Sequence, residues 1–384
     1  MNSDALSCLA CTRSRLVADA GSVRCEHCGT TYGVLRGAID FRDADRDLSA
    51  GHDLATDNVF AAKLDEVFDE VATASELRRL LSGMRVRHGR GVALADLDPR
   101  AVLKEDDIRP VAYSAADAAH GQSILEKIPL YLEGNDFPEL PNGVALEDGA
   151  GEGFHIAGLS EKFAHVVVLD LSMAYLMLAA KIIAELGLAN VTLICASAEH
   201  LPHKDGSIDF VHSNNVIEHV TNQGRMIAEA GRVLDPGGLL FIMSPNCFSL
   251  YFEPHFGLPG YGFIPEPIRR RIILRKQGRD IDDLSLRSLG ELRRLVSDNF
   301  DGRTRYSFIP RRLTRTETGG YLRTSLTRML NLPGIGRVAD FAINRMALGV
   351  MPYHVVLGAK LRSDGSKSDR QARAGDAQRR RDFQ

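Results

Sequence analysis

The chain reads as an α/β protein: a parallel sheet with helices on both faces, preceded by a small N-terminal cysteine ribbon. Three observations predict this. Residues 144–170, VALEDGAGEGFHIAGLSEKFAHVVVLD, run strand, glycine turn, helix, strand and acidic residue. Short apolar runs and helical patterns then keep alternating to about residue 244, the pattern of strand–helix–strand units. Cys8, Cys11, Cys25 and Cys28 form two C-x-x-C pairs close to the start.

The ribbon comes first. Two C-x-x-C pairs close to zinc-ribbon spacing bring four thiolates within tetrahedral reach, in a segment too short to build its own core. A redox pair would stand once, beside a βαβ unit. Disulfides do not persist in a reducing cytosol. The expectation is a structural zinc ion on Cys8, Cys11, Cys25 and Cys28 within residues 1–45. Cys195 and Cys247, in or beside apolar runs, read as small core residues. Residues 46–143 read as a helical cap or linker. An apolar stripe over residues 58–84 has helical periodicity, residues 122–128 read as a second helix, and Pro138, Pro141, Asn142 and Gly143 lead into the first strand.

Residues 144–146 are a short buried strand and residues 165–169 a second, with Asp170 at its C-terminal end, where open parallel sheets bind ligands. Between them Gly149, Gly151 and Gly153 turn the chain into a helix starting near Phe154. Glycines there let a ligand lie against the main chain. A dinucleotide site asks for G-x-G-x-x-G with an acidic residue about 20 positions on. Here the third glycine comes one residue early. Glu147 also precedes the first glycine by two positions, and its charge suits a cationic amino-acid end better than a pyrophosphate.

Glu147-x-Gly149-x-Gly151-x-Gly153 with Asp170 resembles the first motifs of class I S-adenosylmethionine (SAM)-dependent methyltransferases. LPHKDGSIDFV, residues 201–211, resembles the family's LPF-x-DGSFD motif, with His203 where Phe is usual. VIEHV (216–220) and RVLDPGG (232–238) resemble its LEHV helix start and R-x-L-x-P-G-G turn. The resemblance implies a Rossmann-like sheet over residues 144–362, carrying a lid and insertion at 245–350. It implies SAM as cofactor, with Glu147 and the glycine backbone on the methionine part and Asp170 on the ribose. Ser197 stands where an Asp usually meets the adenine amino group, and Ala198 follows it. The ribbon's ending, residues 28–41, is similar to that of small zinc-ribbon subunits that activate methyltransferases, with Gly33 and Ile39 replacing two prolines.

Further strands are expected at residues 191–195, 208–213, 239–243, 304–309 and 353–361. A helix is expected over residues 173–186, ended by Gly187, and another over residues 283–300. Asn214 falls just past the fourth strand, facing the expected cleft. Methyl transfer to oxygen needs a base. His219, which also reads as structural or orienting, and His255, in the long loop after the fifth strand, are the candidates. Tyr251, Glu253 and His255 are candidate substrate contacts. The basic run RRRIILRKQGR, residues 269–279, is a solvated helix face or meets an acidic or phosphate-bearing partner. Residues 311–350 form an amphipathic insertion, and residues 363–384 read as a disordered tail.

Composition excludes other classes. Charged residues make up 25% of the chain and net charge is −3, so no global basicity recruits nucleic acid. No apolar run reaches membrane-spanning length. The start lacks the apolar core of a signal peptide, so a cytoplasmic location is expected. The expectation is a SAM-dependent methyltransferase, O-methylating a small-molecule or glycan-like metabolite. An RNA methyltransferase and a non-catalytic partner of the same fold are the alternatives.

Overall fold

The computed structural model describes residues 5–13, 15–19, 21–43, 54–89, 91–104, 125–126, 128–129, 132, 137–249, 255–277, 284–307 and 353–360. Seven strands form the expected sheet: β5 (Val144–Asp148), β6 (His165–Asp170), β7 (Val191–Cys195), β8 (Ile208–Asn214), β9 (Leu234–Pro245), β10 (Gly302–Ser307) and β11 (Tyr353–Lys360). They lie in the order β7-β6-β5-β8-β9-β11-β10, parallel from β7 to β9, with β11 antiparallel to both β9 and β10. The chain enters at the middle strand, β5, and the order reverses there. That creates a switch point at the carboxyl ends of β5 and β8.

Period-two alternation between two covered faces explains why the central strands are mostly apolar. Ala145, Val166, Val168, Phe210 and Phe241 enter a core on one face, and Leu146, Val167, Leu169, Val211 and Ile242 enter a second on the other. Helices α1 (Leu54–Asp65), α2 (Ala74–Gly89), α4 (Ile156–Lys162) and α5 (Met173–Leu186) cover the first face. Between α2 and α4 lies the short helix α3 (Pro99–Leu103). Helices α6 (Gln223–Val233) and α8 (Leu289–Asn299) cover the second. α5 is N-capped by Ser172, which accepts from the Tyr175 N–H at 3.3 Å, and ends on left-handed Gly187 (φ 63°). It buries Met173, Leu176, Met177, Leu178 and Ile182. Each such side chain contributes about 1.5–3 kcal/mol by leaving water.

The ribbon is not a separate lobe. Its strands β1 (Leu16–Asp19), β2 (Ser22–Cys25), β3 (Thr31–Leu35) and β4 (Ala38–Asp40) form an antiparallel ladder, and β4 then pairs in parallel with β7. The sheet so extended has 11 strands among the described residues. Leu6, Leu16, Val23, Ile39 and Phe41 share the core that holds Leu169 and Ile194. His203 explains its own departure from Phe here. It is fully buried where the ribbon's first residues dock, bridged to Leu6, with Ser7 N–H donating to Pro202 O at 3.1 Å. Burial lowers its pKa to about 3, so it packs as a neutral ring.

Some boundaries differ from expectation. The stripe over residues 58–84 is two helices rather than one. Thr73 and Glu76 form a reciprocal cap, with Glu76 N–H on Thr73 Oγ1 and Thr73 N–H on Glu76 Oε2, both at 3.2 Å, and this restarts the helix at Ala74. Val67 and Val71 stay buried in the intervening turn and preserve the stripe. The helix expected from residue 283 starts at Leu289, behind a capping box of Ser288 and Glu291. α4 begins at Ile156, not Phe154, after a full turn of irregular backbone. Tyr251, Glu253, the insertion at 311–350, the tail at 363–384 and most of the helix expected at 122–128 lie outside the described residues.

Candidate active site

A cleft of about 1060 Å³ opens at the carboxyl ends of β5 to β8, at the upper end of the size range for small-molecule sites. The glycine turn forms one wall. Gly149 N–H and Ala150 N–H both donate to Leu169 O at 2.9 Å, tying the turn to the end of β6. Gly149 has φ 88°, and a Cβ there would sit 2.3 Å from Val216 Cγ2. A Cβ on Gly153 would sit 2.5 Å from Ile182 Cδ1, so this glycine serves close packing of the turn on α5. Gly153 itself does not line the cleft, whereas Gly149 and Gly151 do.

Asp170 ends β6 beside that turn. Its Oδ2 accepts from Gly151 N–H and its Oδ1 from Ser172 N–H, each at 2.8 Å. Burial raises its pKa to about 6, against the pull of these two N–H donors. Along the same edge Ser197, Ala198 and Asn214 line the cleft, with His219 and His255 beyond them. Ser197 Oγ accepts from Glu199 N–H at 3.2 Å. The two imidazoles stack edge to face with centroids 5.0 Å apart. His255 Nε2 lies 3.8 Å from Oε1 of the buried Glu218. The two sequence-chosen histidines, far apart in the chain, therefore meet at one end of the cleft.

Glu147 lies behind the wall rather than in it. It is 1% exposed, and its oxygens face His155 Nδ1 at 3.0 Å and His212 Nδ1 at 2.5 Å. Burial pushes its pKa up, but the two rings outweigh that and hold it at about 2. Both rings then donate through Nδ1, which leaves His155 Nε2 to accept from the Asn214 amide at 3.2 Å. Glu147 thus fixes the Asn214 side chain, whose Oδ1 finds no partner among the described residues. The carboxylate that does line the cleft from β5 is Asp148, and its Oδ1 is likewise unpartnered among them. Burial, helped by Glu147 and Asp170, raises its pKa to about 7.

The cap helices supply wall residues that the sequence reading missed: Asp57, Phe60, Arg85 and His88. Arg85 donates to Tyr175 Oη at 2.5 Å and lies over that ring. Buried Arg78 donates to Glu152 O at 2.5 Å and steadies the glycine turn from outside. Phe60 belongs to the apolar stripe expected to pack, but no periodic signal marks Asp57, Arg85 or His88. They reach the cleft because α1 and α2 pack on α5.

The four ribbon cysteines converge as expected, their sulfurs within 4.8 Å of one another. Cys8 and Cys28 sulfurs are 3.6 Å apart, and those of Cys11 and Cys25 are 3.7 Å apart. A tetrahedral ion with metal–sulfur bonds near 2.3 Å needs edges of about 3.8 Å, so the donor set fits zinc.

Residues 146–242 match a family model described as a methyltransferase domain. This region is a methyltransferase domain. Among curated relatives, a ubiquinone/menaquinone biosynthesis C-methyltransferase of Bartonella quintana is 38% identical over 105 residues, covering 26% of this chain and 40% of that protein. A malonyl-[acyl-carrier protein] O-methyltransferase of Methylovorus sp. is 32% identical over 150 residues, covering 38% and 49%. The biotin biosynthesis bifunctional protein BioHC of Cellvibrio japonicus is 27% identical over 177 residues, covering 46% and 29%. The chain spans less than half the length of each of these relatives. A solved phosphoethanolamine N-methyltransferase of Haemonchus contortus aligns at 16% identity and TM-score 0.41, over 64% of this chain and 53% of that one. At that distance the likeness carries no argument about site or substrate. No helix among the described residues is long and apolar enough to cross a membrane.

Proposed function

We propose that the chain binds SAM in this cleft and transfers its methyl group to an oxygen of a small-molecule acceptor. The observation that carries this reading is Asp170, held by Gly151 N–H at the switch point inside a methyltransferase domain. Its carboxylate would take the ribose hydroxyls. The backbone of Gly149 and Gly151, with Asn214 Oδ1, would meet the methionine part, and Ser197 and Ala198 the adenine. SAM supplies an electrophilic methyl on a sulfonium, so the chain's residues need only align the acceptor and remove its proton. His255, with Glu218 behind it, is the proposed base, and His219 orients it. The relatives include a C- and an O-methyltransferase, so similarity does not choose the acceptor atom. The paired histidines favour oxygen, which has a proton to lose. The size of the cleft, about 1060 Å³, favours a small molecule. In the ribbon, Cys8, Cys11, Cys25 and Cys28 would hold a structural zinc ion.

Calorimetry on the full chain tests the cofactor: SAM should bind near micromolar, about −8 kcal/mol. Absence of binding by folded, zinc-loaded protein sinks the proposal. Once a screen has found an acceptor, His255→Gln should lower kcat by about 10²-fold or more, the contribution of general base catalysis, with SAM affinity unchanged. An unchanged kcat removes His255 from that role.

The buried carboxylates also set a pH dependence. Asp148 and Asp170 have pKa values raised to about 7 and about 6. Below those values they are protonated and lose their pull on a cation; above them they are ionised. SAM affinity should therefore climb roughly tenfold from pH 5.5 to 7.5, the size of one pKa unit of interaction. S-adenosylhomocysteine, which lacks the sulfonium, should climb less. Equal slopes for the two ligands would show that the carboxylates do not sense the positive charge.

A further inference from the structure

Beside the cleft lies a second cavity, of about 300 Å³, between the loop after β9 and the start of α8. Leu284 lines both spaces. Two arginines, Arg269 on α7 (Glu266–Gln277) and Arg287 just before α8, line the second. Each is oriented by the protein yet short of partners. Arg269 lies over the Tyr261 ring at 4.1 Å, and its Nη1 donates to Tyr261 O at 3.2 Å. Its Nε is buried with no partner among the described residues. Arg287 Nε donates to Gln223 Oε1 at 2.6 Å, and Gln223 is itself pinned by Ile217 O and Ser285 O, each at 2.8 Å.

Neither arginine is ion-paired with a carboxylate among the described residues. Arg270, next to Arg269, by contrast sits 3.5 Å from Glu266. The carboxylate in the lining, Glu291, is turned to its helix cap, where its Oε2 accepts from Ser288 N–H at 2.9 Å and from Ser288 Oγ at 2.6 Å. Two fixed guanidiniums with spare donors in one concavity make a built anion site, and their planar forks match phosphoryl oxygens.

We propose that this cavity binds a phosphoryl group, the anionic tail of a methyl acceptor whose reactive end lies past Leu284 beside His219 and His255. The acceptor class is then a small phosphorylated metabolite. Of the basic run on α7, it is Arg269 that turns inward to recognise it. The acceptor role rests on the methyltransferase reading above; the anion site does not.

The probe is inorganic pyrophosphate, titrated by calorimetry into the full chain, with S-adenosylhomocysteine binding measured on the same samples. Saturable one-to-one binding is expected. Arg269→Gln should weaken it at least tenfold, whereas Arg275→Gln, an exposed arginine on the same helix, should leave it unchanged. Arg287→Lys keeps the charge but loses the fork and should also weaken binding. Glu291→Gln keeps the helix cap and removes the one negative charge seen in the lining, so it should tighten binding about threefold, as expected for a screened charge nearby. Acetate at equal concentration should not compete. No saturable binding, equal losses in Arg269→Gln and Arg275→Gln, or equal competition by acetate would each overturn the site. Pyrophosphate binding without S-adenosylhomocysteine binding would uphold the anion site and overturn the methyltransferase reading instead.

Discussion

Asp170→Ala should raise the Kd for SAM by about a hundredfold or more while leaving the fold in place. The ribose would place two hydroxyls on this carboxylate. Hydrogen bonds to a charged group contribute about 1.5–3 kcal/mol each, so losing both removes at least about 3 kcal/mol, two factors of ten or more. The stability change should be much smaller. The carboxylate does pin Gly151 N–H and Ser172 N–H, and those bonds are lost. But burial also raises its pKa to about 6, which means the ionised form is costly at neutral pH, and alanine removes that cost. Between the unfolded pKa and about 6 the folded state binds the extra proton, so this group stabilises the wild type at low pH and less as pH rises. The wild type and the variant should accordingly unfold at similar temperatures at pH 7.5, with the wild type gaining on the variant at pH 5. Calorimetry and thermal melts check both parts. A folded variant that binds SAM within tenfold of wild type would remove Asp170 from the ribose.

The central strands were legible because a sheet covered on both faces is written mostly in apolar residues. Residues 191–195 read as a strand and are one to the residue. The glycine turn and Asp170 were legible because close backbone approach leaves few residue types to choose from. Which of two adjacent carboxylates faces the cleft was not. Successive strand residues point to opposite sides, so Glu147 and Asp148 cannot both enter, and the outcome depends on where the turn begins. The partner that draws Glu147 inward, His212, lies three strands further along the chain, on β8. The helix boundaries were written in the Thr73/Glu76 and Ser288/Glu291 pairs, but a continuous apolar stripe masked the first. Hardest was the ribbon's attachment. Ala38–Asp40 is a three-residue strand, and nothing local says that it will extend the sheet at β7. The His203 departure was the one trace of that contact.

That attachment makes the largest stability prediction. Stripping metal from the four cysteines should destabilise the methyltransferase domain, not merely fray a ribbon. Structural zinc in small domains contributes about 10–16 kcal/mol of apparent binding energy to folding, and without it the four sulfurs lose the bonds that hold them together. If the ribbon opens, Phe41 N–H loses Cys195 O (2.8 Å) and the core over Leu169 and Ile194 is uncovered. The chain of contacts continues toward the cofactor cleft. Arg42 donates to Asp57 at 3.0 Å, and Asp57 accepts from Met173 N–H at 2.8 Å and from the Ser172 hydroxyl, at the start of α5 beside Asp170. Wild type should carry about one zinc per chain, as a Cys195→Ala control should. Chelation should lower stability by at least about 3 kcal/mol, a fall in Tm of roughly 6–12 °C for a domain of this size. It should also weaken S-adenosylhomocysteine binding several-fold, because the N-terminus of α5 is no longer held. A metal-free chain with unchanged Tm would show that the cysteines only sit near one another. A lowered Tm with unchanged affinity would sever the path through Arg42 and Asp57, leaving the ribbon a cover for the sheet edge and nothing more.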